Sequence, residues 1–95
     1  MNTAHDTHEI RVAIINKRGL HARAAARFAT LSARFQSHIL VHHGTLQANG
    51  KSIMSLMMLA APMGSTLHIQ AQGADGQIAL TALKELVDAR FDEAE

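Results

Sequence analysis

The sequence contains no cysteine, which excludes a disulfide scaffold and any thiolate metal site. No apolar run reaches the ~18 residues that a membrane span requires, and Met1–Thr7 has no apolar core of the kind a signal peptide carries. An excess of one charge is missing too: 9 Lys and Arg stand against 8 Asp and Glu, a formal net charge of +1. That balance argues against a global basic field for gripping nucleic acid and leaves only local patches. Repeats, low-complexity segments and linkers are also absent. A chain of 95 residues hides roughly 60–65% of its unfolded surface, enough for one shared core but no internal substrate chamber. What is abundant is apolar: 47% hydrophobic residues predict a packed globule. The expectation is one domain over 1–95, with a flexible leader at 1–8, a core at 9–90 and an acidic tail at 91–95. Such a protein is expected to be cytoplasmic and to act on, or be acted on by, something larger.

Hydropathy alternates from Glu9, with Ile10, Val12 and Ile14 against Glu9, Arg11 and Ala13, which predicts a strand with one buried face. Gly19 ends the following break and is free to take a positive φ. A helix is predicted over 22–35, with Ala24, Phe28, Leu31 and Phe35 as its apolar stripe. Arg23, Arg27 and Arg34 fall at about 0°, 40° and 20° around that helix, a cationic edge beside the stripe. Strands are predicted over 38–43, 45–48 and 65–72. Ser52 caps a short helix over 53–59 that Pro62 and Gly64 stop. Asp75 is expected to cap a last helix over 76–90, buried through Ile78, Ala82 and Leu86 and flanked by Ala79, Leu83 and Val87. The order β-α-β-β-α-β-α with half-polar strands predicts an α+β fold, a four-stranded antiparallel sheet with three helices packed on one face.

Asn16 to Arg27 carries the chemistry. Gly19-Leu20-His21 leads straight into a helix, whose first-turn N–H groups form an anion site that the helix dipole reinforces. Arg23 adds a forked, permanently charged donor one or two positions on. An imidazole, ordinarily with a pKa of about 6.5, is mostly uncharged and nucleophilic near neutral pH. Together these suit a histidine that accepts a phosphoryl group and passes it on, a reaction needing little beyond positioning and charge compensation. On spacing alone the plainer alternative, a histidine that merely caps the helix, stands ahead of it.

Gly19-Leu20-His21-Ala22-Arg23-Ala24-Ala25, followed about thirty residues later by Lys51-Ser52-Ile53-Met54, resembles the HPr family. These are the phosphocarriers of the bacterial phosphoenolpyruvate-dependent phosphotransferase systems. The similarity covers roughly residues 9–90, with both segments in order and at the family distance. It implies the open-faced β-sandwich of that family, in the element order reached above. It further implies that His21 is the phosphoacceptor, modified on Nδ1 by enzyme I, and that Arg23 is its accompanying arginine. Ser52 matches the serine that a dedicated HPr kinase/phosphorylase modifies in some bacteria. Ile53, Met54 and Met57 match the exposed apolar patch that docks enzyme I and enzyme IIA domains, and Ala22 and Arg27 are expected to bind partners with it. The implied protein is a carrier rather than an independent enzyme, needs no cofactor and is expected to work as a monomer. One departure is Ala24, where the family usually has Pro; a first-turn Pro fixes φ at no cost in hydrogen bonds, so Ala should loosen the helix start slightly.

Other motifs weigh less. Gly44 to Ser52 imitates a phosphate-binding P-loop but has one residue too many between its glycines, and Gly73-Ala74-Asp75-Gly76 imitates an RNA-binding loop in a nearly neutral protein. Of the 7 histidines, His42 and His43 point to opposite faces of a strand, and no closed ligand set is completed, so no metal is expected. Asp88, Asp92, Glu93 and Glu95 read as a solvated helix end. Ile53, Leu56 and the methionines cover more of the short helix than one core face can bury. That predicts an exposed patch at Met54 and Met57, next to His21. A regulatory interaction module, switched by phosphorylation of His21 or Ser52, is the rival reading. The branch stays open: the Phe91-Asp92-Glu93 ending is similar to nitrogen-related carriers, Lys51-Ser52-Ile53-Met54 to the sugar-linked type, with the former slightly favoured.

Overall fold

The computed structural model describes residues 6–95. Strands β1 (Thr7–Ala13), β2 (His38–His43), β3 (Leu46–Asn49) and β4 (Thr66–Gln72) alternate with helices α1 (Ala22–Ser32), α2 (Ile53–Met57) and α3 (Gly76–Asp88). The strands form one antiparallel sheet in the order β1-β4-β2-β3. Its register puts Ile10 opposite Ile69 and Val12 opposite Leu67, and Val41 also faces Ile69 across β2 and β4. Because side chains alternate along a strand, Val12, Ile39, Val41, Leu67, Ile69 and Ala71 all enter one core with α1, α2 and α3. The other face carries the polar set: His68 Nε2 meets Glu9 Oε1 at 2.9 Å, His42 Nε2 donates to Gln70 Oε1, and the His42 and His68 rings lie 5.5 Å apart. His43, on the opposite face, donates from Nδ1 to the Leu59 carbonyl. The sheet is thus open on one side and roofed by helices on the other.

Several boundaries and one face differ from the sequence expectation. β1 begins at Thr7 rather than Glu9, pairing Thr7 with Gln72. α1 stops at Ser32 instead of reaching Phe35, because the chain tightens there: Arg34 N–H donates to the Leu31 carbonyl and Phe35 N–H to that of Ser32. Asp75 stands at the N-cap position of α3 but makes no side-chain capping bond. Its carboxylate reaches across instead to Gln36 N–H, Ser37 N–H and the Ser37 hydroxyl, at 2.8, 3.0 and 2.5 Å. Those donors lie in the connection between α1 and β2 and have no backbone partner, so one carboxylate ties that loop to the start of α3. α3 buries Ala79, Leu80, Leu83 and Val87, whereas Ile78 is 67% exposed and Leu86 only packs at the edge. Both apolar rows are available on this helix; the one chosen brings two leucines and a valine inward.

Past α3, Arg90, Phe91 and Asp92 all take positive φ (58°, 54° and 64°). This costs about 1–2 kcal/mol per non-glycine residue. The offset is visible: Phe91 is fully buried, Asp92 N–H donates to the Ala89 carbonyl, and Glu93 N–H donates to that of Arg90. The segment expected to be a solvated acidic tail is folded back onto the body.

Candidate active site

The site is built at the start of α1. Gly19 has φ +68°, and a Cβ there would lie 2.6 Å from the Ala61 carbonyl oxygen and 2.9 Å from Pro62 Cα. Only glycine permits both the turn and this approach. Leu20 N–H then donates to Ala61 O at 2.9 Å, so the loop after α2 holds the turn from which His21 projects. Asn16, fully buried, donates through Nδ2 to the Gly19 carbonyl at 2.8 Å, closing the same turn from inside.

His21 is the N-cap residue of α1, with extended backbone (φ −77°, ψ −179°). Its Nδ1 accepts from Arg23 N–H at 3.3 Å. An imidazole nitrogen that accepts carries no proton, so the ring proton sits on Nε2. Nε2 donates to Glu93 Oε2, while Glu93 Oε1 accepts from Asn16 Nδ2 at 2.8 Å. The His21 and Glu93 side chains are only 18% and 16% exposed. Partial burial pushes the Glu93 carboxyl up, but hydrogen bonds from Asn16 and His21, with the charge of Arg18, outweigh it and hold the group below its ordinary range. Neither residue has this role in the sequence pattern, where Asn16 only opens the segment leading to His21 and Glu93 falls in a solvated helix end. The one hint was Phe91, an apolar side chain in an acidic ending.

The cations converge on the same place. Arg18, Arg23 and Arg27 line a cavity of about 410 Å³ together with Asp92, Glu93 and Glu95. Arg23 is exposed; Arg27 is half-buried and donates through Nη1 to the Phe91 carbonyl, clamping the tail to α1. Arg34 lies farther along, where a groove of about 420 Å³ runs past Leu31 and Leu86.

Ser52 is the N-cap of α2, its hydroxyl accepting from Ser55 N–H at 3.2 Å. α2 ends at Met57, shorter than the pattern suggests, and packs against α1. Leu56 and Leu59 are buried, whereas Ile53, Met54 and Met57 are exposed by 42%, 72% and 40%. Met58 and Met63 extend this apolar surface, and Ala22 is exposed at the start of α1. The structure therefore joins an imidazole with one unprotonated nitrogen, a helix start, a cavity where three arginines meet three carboxylates, and an apolar flank.

Comparison with known proteins agrees with this geometry. A family model described as the PTS HPr component phosphorylation site matches residues 8–89. A phosphocarrier protein HPr from Pseudomonas aeruginosa is 46% identical over 87 residues, covering 90% of this chain and 97% of the relative. A phosphocarrier protein NPr from Shewanella violacea is 44% identical over 86 residues, covering 90% and 94%. The crystal structure of HPr-C-His from Thermoanaerobacter tengcongensis superposes with a TM-score of 0.88 at 38% identity, over 93% of this chain and 99% of that one. The matched residues span the glycine turn, α1, α2 and the whole sheet, and this chain belongs to the HPr family of phosphotransferase-system phosphocarriers.

Proposed function

We propose that His21 is the residue that carries the phosphoryl group, taking it on Nδ1 from a phosphohistidine of enzyme I and passing it to a histidine of an enzyme IIA domain. The observation that carries this reading is the division of labour within one ring. Nδ1 has its lone pair directed at the Arg23 amide, while Nε2 holds the proton. As Nδ1 attacks, that amide is released to donate to a phosphoryl oxygen, and the start of α1 compensates the incoming charge. Arg23, exposed beside the cavity, supplies a guanidinium to the same oxygens. Transfer of this type asks for position and charge rather than for a separate base. The cavity is open, as brief visits by two enzymes require.

Ile53, Met54 and Met57, with Ala22 and Arg27 on the adjoining helix, form the docking surface in this reading. Methionine adapts to more than one partner. Ser52 sits at the head of that surface, where a phosphate would keep a favourable helix end but place charge inside an apolar contact. Its modification by an HPr kinase/phosphorylase would weaken docking rather than unfold α2. The acidic ending favours a nitrogen-related regulatory branch, in the cytoplasm, over sugar uptake. The exposure of Met54 also supports regulatory complexes, with phosphorylation selecting among them. Labelled phosphoenolpyruvate with enzyme I tests the carrier reading: label enters the wild type and is absent from His21→Ala. Label persisting in a folded His21→Ala variant overturns it.

A further inference from the structure

The C-terminal segment is joined to the site by features that solvation of an acidic tail does not explain. The backbone turns sharply through Arg90, Phe91 and Asp92, all at positive φ. Phe91 is buried, its carbonyl is held by Arg27, and Lys17 N–H bonds to the Glu95 carbonyl. These anchors aim a single side chain, that of Glu93, at the imidazole edge facing away from the helix start. Asn16, fully buried, fixes the other carboxylate oxygen. A carboxylate gripped at both oxygens, one of them by an imidazole N–H, has little freedom to rotate.

We infer that Glu93 is a positioning residue for phosphoryl transfer: by accepting a hydrogen bond from His21 Nε2–H it fixes the tautomer with Nδ1 unprotonated and faces the positive charge that the ring acquires when Nδ1 is phosphorylated. This deepens the carrier reading and rests on it. The Nδ1 pair forms the new N–P bond while the N–P bond of the donor phosphohistidine breaks and its electrons stay on the donor ring. His21 thereby becomes an imidazolium, phosphorylated on Nδ1 and protonated on Nε2. The Nε2 proton need not leave, because Glu93 already holds it. In the outgoing step the N–P electrons return to Nδ1, and the ring is neutral again with its proton in place. A carboxylate fixed beforehand stabilises the charged ring without reorganising when it forms. Charges facing the pair come from Arg18 in the loop after β1, from Arg23 and Arg27 on α1, and from Asp92 and Glu95 in the tail. Arg18 acts on Glu93 through its charge and Arg27 is held by the Phe91 carbonyl, so exposed Arg23 is the cation left for phosphoryl oxygens, while Glu93 bonds the ring.

Glu93→Gln tests this at constant size: the amide oxygen can still accept from Asn16, but the NH2 then facing His21 cannot accept from Nε2–H. Two readouts are taken on the full chain. The first is the ¹H resonance of His21 Nε2–H in the unphosphorylated protein. It is expected far downfield and protected from solvent in the wild type, as for an imidazole bonded to a carboxylate, and absent or shifted upfield in the variant. The second is the rate of phosphorylation by enzyme I charged with phosphoenolpyruvate, expected to fall about tenfold, the lower end for a charge-assisted bond at a partly exposed site. An unchanged rate in a variant whose thermal midpoint matches the wild type overturns the inference, as does a wild-type resonance at the position of a solvent-exposed imidazole. Failure of the wild type to take label on His21 overturns the carrier reading instead, which the rate in the wild type alone decides.

Discussion

The two nitrogens of the His21 ring are held by different parts of the chain, Nδ1 by the first turn of its own helix and Nε2 by a side chain 72 residues away. That separation depends on the Gly19 turn that aims the ring. Gly19→Ala places a methyl group 2.6 Å from a carbonyl oxygen and forces a non-glycine residue to φ +68°. It should destabilise the fold by about 2–3 kcal/mol in urea denaturation and shift the His21 ring resonances; a variant as stable as the wild type contradicts the turn's role. Gly19, His21 and Arg23 are legible in the sequence because their roles are local: a left-handed turn, a cap and a first-turn cation all lie within five positions. Asn16 and Glu93 are not legible, because their pairing depends on where the tail lands after α3.

Elements differ in what holds them. α2 is too short to persist by propensity, so its cap and its packing decide. Ser52→Ala removes the bond to Ser55 N–H and should cost about 1 kcal/mol, read as faster amide exchange across 53–57 and a small loss of global stability. Ser52→Asp should keep the helix, aspartate being an equally good cap, while lowering affinity for enzyme I in calorimetry; undiminished affinity contradicts the docking assignment. The ending behaves oppositely, a strained turn held by one large side chain. Phe91→Ala should cost about 3–5 kcal/mol and loosen Glu93 from His21, seen as loss of the Nε2–H resonance. The period-two and helical patterns revealed every strand and helix to within a few residues. They misjudged the inward face of α3, where Ile78 and Leu80 compete and only tertiary volume chooses. They also read Asp75 as a local cap, since nothing local marks a carboxylate that accepts from a distant loop, here Gln36 and Ser37 between α1 and β2.

For the molecule as a whole, one sheet with a polar face and a roofed face leaves the functional groups along the helix side and its rim. Two rim carboxylates link that layer together, and both are held below their ordinary range. In Asp75 the Ser37 hydroxyl, then the Gln36 amide, lowers the group; in Glu93 the hydrogen bonds from Asn16 and His21 outweigh burial. A carboxyl depressed in the folded state takes up its proton more readily when unfolded. Its stabilising contribution is therefore complete above the ordinary carboxylate range and is lost as pH falls from about 5 toward the lower folded value. Denaturation midpoints should be flat near neutrality and drop through this acid window, less steeply in Asp75→Asn than in the wild type. An equal slope in both would remove Asp75 from the account. The central claim is narrower and concerns one atom. Incubation of ¹⁵N-histidine-labelled protein with enzyme I and phosphoenolpyruvate, followed by ³¹P and ¹⁵N NMR, should show a single acid-labile phosphoramidate with phosphorus coupled to Nδ1 of His21. Coupling to Nε2, to another of the histidines, or to none would contradict it.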